Sequence, residues 1–334
     1  MSLLIGISLS VDASIMPVEP RLYRGKATPG RVMRLHAILR RMGATTIKPD
    51  TPATRQRIKA TAEVHCKVND KSVLADSRPE SRLAHLHQKG SAKVRFPRPR
   101  GRALEAVLLN TAGGLTGDDD IRWLATAGES SRLSLSTAAC EKIYRSHGPP
   151  ARQQTQLTVK TGARLDWLPQ ETILFNGAKL KRQLDINLAS DAELLACEAL
   201  VFGRHAMLET LTKLSLHDVW KVRREGKLIH AESFRFSGDW SAHATRRGVM
   251  HQHGASATIL YCCRRNKEAL TLLTNSLHNI AIQPADQLIA GISAMHERIV
   301  VRAIAVNSYE LRKFLIPCIE VLNADMSVPA VWHV

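Results

Sequence analysis

Between residues 61 and 262 the chain is a succession of short segments in which apolar side chains recur at every second position. AEVHCKV, AKVRF, LEAVLLN, DIRWLATA, SRLSLSTA, RQQTQLTVKT, ARLDWL, TILFN, AKLKRQLDINLA and AELLACEALVF follow one another, and LTKLSLHDVW, KLIHAESFRF and SATILYC continue the pattern. A period of two is the pleat of a β-strand, because successive side chains leave opposite faces. In RLSLS, Leu133 and Leu135 share one face, and Arg132, Ser134 and Ser136 share the other. Gly128, Gly148, Pro149, Gly162, Gly177 and Asp191 punctuate the segments with residues that favour turns. Such spacing restricts the fold to a mainly β sandwich, barrel or helix-like stack of many short strands. No sequence repeat of about 20–50 residues supports a regular solenoid.

Helical texture comes late. NKEALTLLTNSLHNI (266–280) sets Leu270, Leu273, Leu277 and Ile280 on one stripe. NSYELRKFLIPCIEVLN (307–323) opens with Asn307 and Ser308 as N-cap candidates and has Glu310 in its first turn, where the helix dipole favours an anion. Pro317 is expected to kink that helix or end its first part. Between the two, residues 292–306 have the pattern of a strand pair. The expectation is two α-helices near the C-terminus of a mainly β chain.

The formal charge of +17 is unevenly placed. Residues 1–60 carry eleven Lys or Arg against three acids (Asp12, Glu19, Asp50), whereas residues 61–334 carry 36 against 27. The first segment also holds Pro17, Pro20, Pro29, Pro49 and Pro52 and lacks sustained periodicity. It is expected to be a basic, disordered N-terminal extension, untranslated if the start is Met33 or Met42, with RVMRLHAILRRMG (31–43) as one short amphipathic helix or a binding tail. Residues 61–334 form the β-rich domain. An aromatic content of 4% counts against a protein that stacks single-stranded bases. Six cysteines without a C-x-x-C pair are expected to be reduced thiols in a cytoplasmic protein. The opening apolar run has no basic residue before it, as a signal peptide requires, and no apolar run is long enough to span a membrane.

LLNTAGGLTGDDD (108–120) is the densest local signal. It lacks the Lys of a phosphate-binding loop and the spacing of a dinucleotide loop, and three carboxylates repel phosphate. They suit a cation, a basic partner, or simply an acidic rim on a tight turn. If they lie on strands, the pairs His85/His87 and His251/His253 each share a face and could grip one ion, but two ligands fall short of the three or four of a structural site, and the plainer expectation is surface or loop histidines. Cys140 beside Glu141 and Lys142 is read as a buried small residue, and no G-x-S-x-G nucleophile is present. The loop PRPRGRA (97–103) is basic but short. The residues alone name no function and no catalytic centre.

Their order does carry a resemblance. FPRPRGRALEAVLLNTAGGLTGDDDIRW, RLSLSTAACEKIYRS, GARLDWLPQETILFNGAKLKR and ALVFGRHAMLE, in that order, strongly resemble the UreD (UreH) family of urease accessory proteins over about residues 62–334. Asn110, Thr111, Gly113, Gly114 and Gly117 match the family loop, with Asp119 at its usual aspartate. Asp118 replaces a glycine, which strains the loop if that position needs positive φ. Thr137, Glu141, Lys142, Tyr144, Arg145 and Ser146 match a second motif, Trp167, Pro169, Gln170 and Glu171 a third, and Gly203, Arg204, Met207 and Glu209 a fourth.

The resemblance implies a helix-like stack of strands with two α-helices. It implies a non-enzymatic, chaperone-like scaffold that binds apo-urease and recruits UreF and the GTPase UreG, so that Ni²⁺ reaches the dinickel centre. On this reading no cofactor is tightly bound, nickel is in transit, and GTP belongs to UreG. The family also carries a proposed internal, water-filled passage, so Asp119, Glu141 and Glu171 are expected either to flank a nickel path or to bond backbone groups in tight turns. Two other expectations stand beside this one. One is a nucleic-acid-binding protein using its basic arm, and the other is a nickel-binding β-protein using the H-x-H pairs.

Overall fold

In the computed structural model the described residues are 57–69, 80–98, 101–204, 209–264, 267–323 and 328–333. They belong to a compact unit spanning Gln56–Val334. The helix expected at 31–43, the matched Met207 and part of the basic loop at 97–103 lie outside the described residues.

The strands are β1 (Lys59–Val68), β2 (Ser81–Lys89), β3 (Ala92–Arg95), β4 (Leu104–Asn110), β5 (Asp120–Ala127), β6 (Arg132–Thr137), β7 (Glu141–Ile143), β8 (Ala151–Val159) and β9 (Arg164–Leu168). They continue with β10 (Thr172–Leu174), β11 (Ala178–Leu188), β12 (Glu193–Phe202), β13 (Lys213–Arg224), β14 (Lys227–Asp239), β15 (Ala255–Cys262), β16 (Leu288–Met295) and β17 (Arg298–Ala305). The helices are a single turn α1 (Ser241–Ala244), α2 (Lys267–Ile280) and α3 (Ser308–Leu322). The period-two signal thus became strands nearly everywhere it occurs.

The strands form two sheets. One holds seven strands in the order β14-β13-β11-β8-β5-β1-β2, and the other runs β16-β17-β15-β12-β9-β6-β4-β3, with β7 and β10 attached beside it. The chain crosses from one sheet to the other and back, so neighbours within each sheet are parallel: β1, β5, β8, β11 and β13 in the first, β4, β6, β9 and β12 in the second. Hairpins close the ends.

This is a solenoid-like stack, although no sequence repeat announces it. The repeat lies in geometry: residues 128–131, 160–163 and 189–192 make three successive four-residue crossings. Equivalent bonds recur there, as in Lys160 N to Ala127 O at 3.0 Å and Ala189 N to Val159 O at 2.9 Å. Register then aligns Leu104, Leu133, Leu165 and Leu194 in one ladder. Backbone pairing constrains turn length and apolar phase but leaves side-chain identity free, so the coils share a shape without sharing a sequence.

The first core lies between the sheets, where Leu133, Leu165, Leu184 and Leu194 are sealed from solvent. A second lies between the outer face of the second sheet and the helices α2 and α3. That layer explains why Ser134 and Ser136, on the polar phase of β6, are buried as well. The α3 stripe of Leu311, Phe314, Leu315, Cys318, Ile319 and Leu322 is buried, each large side chain contributing about 2 kcal/mol of gross burial. Asn307 caps α3 as expected, its side chain accepting from Glu310 N at 2.9 Å.

Pro317 does not end this helix, which continues from Ser308 to Leu322. The proline leaves the carbonyl of Lys313, an exposed residue, without its helical amide partner, while the buried stripe holds both halves in place. The buried Arg164 guanidinium secures the far end by donating to Leu322 O at 3.0 Å and Asn323 Oδ1 at 2.9 Å. Among the described residues no helix is long and apolar enough to cross a membrane.

Candidate functional site

The glycine-rich loop turns out of β4 and runs along β7. Leu115 N donates to Lys142 O at 2.7 Å, and Tyr144 N donates to Leu115 O at 2.8 Å. So close an approach excludes side chains: a Cβ on Gly114 (φ 149°) would lie 2.6 Å from Lys142 O, and one on Gly117 would lie 2.5 Å from Pro149 O. Gly113 is glycine for a different reason, since its φ of 77° is left-handed while the space around it is open. Asp118 sits at φ 68°, so this position does call for left-handed backbone, which aspartate tolerates better than most residues. Thr111 ties the loop to Ser91 O through its amide at 2.9 Å and its hydroxyl at 3.1 Å.

Asp119 and Glu141 have different surroundings. Asp119 is buried and accepts from Ile58 N at 2.9 Å and Thr116 N at 2.7 Å, fastening the loop to the start of β1. Glu141 accepts from the Asn110 amide at 3.1 and 3.3 Å. Burial pushes its carboxyl up to about 7, against the opposing hydrogen bonds from Asn110 and the Lys142 backbone. It faces a cavity of about 430 Å³, which Thr137 and Cys140 also line. Burial and the nearby Glu171 raise the Cys140 thiol to about 11, so it stays protonated.

Glu171 belongs to the junction with the helical layer. Arg312 on α3 grips it from two nitrogens, Nε to Oε1 at 3.1 Å and Nη2 to Oε2 at 2.7 Å, and also reaches Gln170 Oε1. Gln170 Nε2 donates to Val331 O, and Trp332 Nε1 donates to Leu168 O, each at 3.0 Å. The buried Pro169 lies between these anchors. The last motif bends at Gly203 (φ 91°), beyond which Arg204 lies over the Phe175 ring at 4.4 Å and donates to Glu209 Oε2 at 2.7 Å.

The four segments meet in one ladder. Leu115 bridges Ile143, β7 pairs with β10, β10 pairs with β12, and Gly203 N closes on Leu174 O at 2.9 Å. Glu141 and Glu171 are tied through the backbone, Glu141 N to Glu171 O at 3.0 Å, but their carboxylates serve different neighbours.

A further charged cluster lies between the sheets. Arg182 Nε donates to Asp218 Oδ1 at 3.0 Å, its Nη2 bonds Asp218 Oδ2, and Nη1 reaches Thr172 Oγ1 at 3.3 Å. Arg182 Nη2 also stands 3.4 Å from Glu198 Oε2. The indoles of Trp167 and Trp220 donate to the two Glu198 oxygens at 2.9 and 3.0 Å. Burial raises the Glu198 carboxyl, Arg182 opposes this, and Asp218 adds to it. The cluster forms one wall of a cavity of about 300 Å³ that Glu232 and Arg302 also line. Its sequence signal is a charge in the apolar phase: Arg182 alternates with Leu180, Leu184 and Ile186, and Asp218 with Leu214, Leu216, Trp220 and Val222. The register sets the two opposite each other.

Neither histidine pair lines either of these two cavities. His85 and His87 are exposed on β2, where His85 packs on His65 with ring centroids 5.3 Å apart. His251 stacks on His253 at 5.9 Å, and His253 Nδ1 is directed at Met250 O and His251 O. Among the described residues, no group of three or more His, Cys, Asp or Glu side chains is placed to hold a metal ion.

The sequence profile of the UreD urease accessory protein matches residues 61–333. The chain belongs to the UreD family. It is 40% identical to the urease accessory protein UreD of Chelativorans sp. (strain BNC1) over 295 residues, which is 88% of this chain and all of that one. It is 42% identical to UreD of Rhizobium etli over 253 residues, 76% of this chain and 90% of the relative. UreD 1 of Brucella melitensis is 37% identical over 282 residues, 84% and 95% of the two chains. Membership gives the chain a role in urease maturation and a partnership with that machinery. The UreD motifs that carried the resemblance are the segments of the four-part ladder, so the family signature is a corner of the stack where backbone approaches backbone.

Proposed function

We propose that this chain is a non-enzymatic, cytoplasmic scaffold for urease maturation, assembling with apo-urease, UreF and the GTPase UreG so that Ni²⁺ is inserted into urease. No cofactor is held tightly, GTP is bound by UreG, and nickel is cargo. Family membership supports the maturation role. The observation that carries the finer reading is the cavity between the sheets, with Glu198, Asp218 and Glu232 in its wall. Three carboxylates against the guanidinium groups of Arg182 and Arg302 suit a cation that must be released again, since oxygen ligands hold nickel more loosely than thiolates. Burial raises the Cys262 and Cys318 thiols to about 12, which keeps them protonated and poor nickel traps.

Among the three carboxylates named from sequence, Glu141 remains on the proposed path because it faces a cavity. Asp119 and Glu171 are assigned to holding the loop and α3. The test is co-expression with UreF, UreG and apo-urease, reading complex assembly and urease nickel content separately. Glu198→Gln and Asp218→Asn should leave the complex intact and lower the nickel content. Full nickel loading in both variants would overturn the interior path, and failure of the wild-type chain to co-purify with these partners would overturn the scaffold.

A further inference from the structure

The helices α2 and α3 cover the second sheet, whereas Lys59, Arg152, Lys181 and Arg235 on the outer face of the first sheet are exposed. Register sets Arg235, His217, Lys181, Arg152, Asp120 and Lys59 in one row across β14, β13, β11, β8, β5 and β1. Neighbouring strands lie about 4.8 Å apart, so these charges stand close together. Like charges directly opposite each other on adjacent strands destabilise a sheet, and here Lys181 stands opposite Arg152. The acid of the row, Asp120, is already met by Arg122 Nε at 3.2 Å. Among the described residues, the side chains of Arg152, Lys181 and Arg235 have no hydrogen-bond or ion-pair partner.

The next row holds Lys179, Ser215 and Ser237, which line a groove of about 640 Å³ together with Arg145 and Lys213. Its floor is tied down: Asn176 Oδ1 accepts from Thr212 N at 3.1 Å and from Thr212 Oγ1 and Lys213 N at 3.0 Å, and Gly177 N donates to Lys213 O at 2.8 Å. Gly177 makes room for the Arg145 stem, since a Cβ there would lie 2.9 Å from Arg145 Cγ. Arg145 bonds through Nε alone, to Asn176 O at 3.4 Å, so its two terminal nitrogens are left as a fork for a carboxylate. Asp239, the acid in this lining, already accepts from Ser241 Oγ at 2.7 Å. No Phe, Tyr or Trp lines the groove, so it offers no such ring on which nucleic-acid bases would stack, and a double helix is too broad to enter it. We infer that this groove and the cation row beside it dock a carboxylate-rich segment of a protein partner. The inference deepens the scaffold reading, on which that partner belongs to the urease-maturation assembly.

The test is fluorescence anisotropy of a labelled decaglutamate peptide, and separately of a labelled DNA duplex, titrated with the full-length chain. Wild type should bind the peptide with an affinity that falls as salt is raised. Arg145→Gln/Lys213→Gln and Arg152→Gln/Lys181→Gln should each weaken that binding roughly threefold to tenfold. Lys267→Gln/Lys313→Gln, the same charge change on the helices over the other sheet, should leave it unaltered. All six substitutions fall on exposed side chains, and circular dichroism checks that each variant folds. Peptide binding that ignores the groove and row variants overturns the site, and a duplex bound more tightly than the peptide overturns the protein occupant. On co-expression with apo-urease, UreF and UreG, the groove and row variants should lose a partner at a lower wash salt than wild type. Retention equal to wild type at every salt overturns the docking role and leaves the scaffold reading in place. A wild-type chain that binds the peptide at this face yet co-purifies with none of the three overturns the scaffold reading and leaves the acidic-segment site standing.

Discussion

Glu141→Gln tests the glycine-loop corner through its pH dependence. The carboxyl is buried with the Asn110 amide and the Lys142 backbone as its hydrogen-bond donors, and it titrates at about 7 against an ordinary 4.5. The folded chain therefore binds this proton more tightly than the unfolded chain. The stabilisation is complete below pH 4.5 and is lost as the pH rises through about 7. At about 1.4 kcal/mol per pH unit, the interval amounts to roughly 3 kcal/mol. Glutamine keeps the shape and an acceptor for Asn110 but cannot ionise. Urea denaturation should find the variant close to wild type at about pH 4.5 and more stable by roughly 2–3 kcal/mol at about pH 8.5, with unchanged m-values. The same offset at both pH values would refute the argument, because a packing effect does not titrate.

Gly117→Ala should destabilise by more than about 2 kcal/mol, because its Cβ meets Pro149 O at 2.5 Å, whereas Gly113→Ala, with φ 77° and open space, should cost about 1 kcal/mol. Thermal unfolding of the pair checks the order, and equal costs would contradict the steric reading. Arg312→Ala removes the cation from Glu171, which is 3% exposed, and should cost about 3–5 kcal/mol with loosening of α3, measured by hydrogen exchange over 308–322. The triple variant Arg182→Met/Asp218→Leu/Glu198→Gln should be as stable as wild type or more so by about 1–4 kcal/mol, and should fail to deliver nickel.

The strands were legible because a single physical rule writes them: one face meets a core, so every second residue is apolar. DIRWLATA became β5 and LEAVLLN became β4 residue for residue. Asn307 was legible as a cap because its partner, Glu310 N, is three residues away. The fate of Pro317 was not local, since it depends on a buried stripe packed against distant strands. Arg312 and Glu171 are 141 residues apart, and nothing near either one predicts the pair. The strand spacing left a helix-like stack beside sandwich and barrel, and the resemblance chose the stack; spacing alone did not decide because the repeat lies in turn length and register, which identity between coils does not measure. Asp118 shows the converse: a departure from the family loop pointed to a left-handed position, and φ 68° is what the chain adopts.

The charged cluster between the sheets was written plainly, as single charges in the apolar phase of β11 and β13, but a one-strand reading treats such a charge as noise. Register turns it into a pair, and Glu198 from the opposite sheet turns the pair into a cluster. Taking an arginine and two acidic side chains out of water costs more than their mutual attraction usually returns, so stability alone would favour leucine at these positions. The neighbouring rows show that this fold accepts apolar residues there, since Leu184 and Ile186 fill equivalent places on the same strand. The stack keeps ionisable side chains beside a cavity of about 300 Å³, and on the proposed function they serve an ion that passes there. On that function nickel is expected to travel through the interior rather than along the exposed His85 and His87.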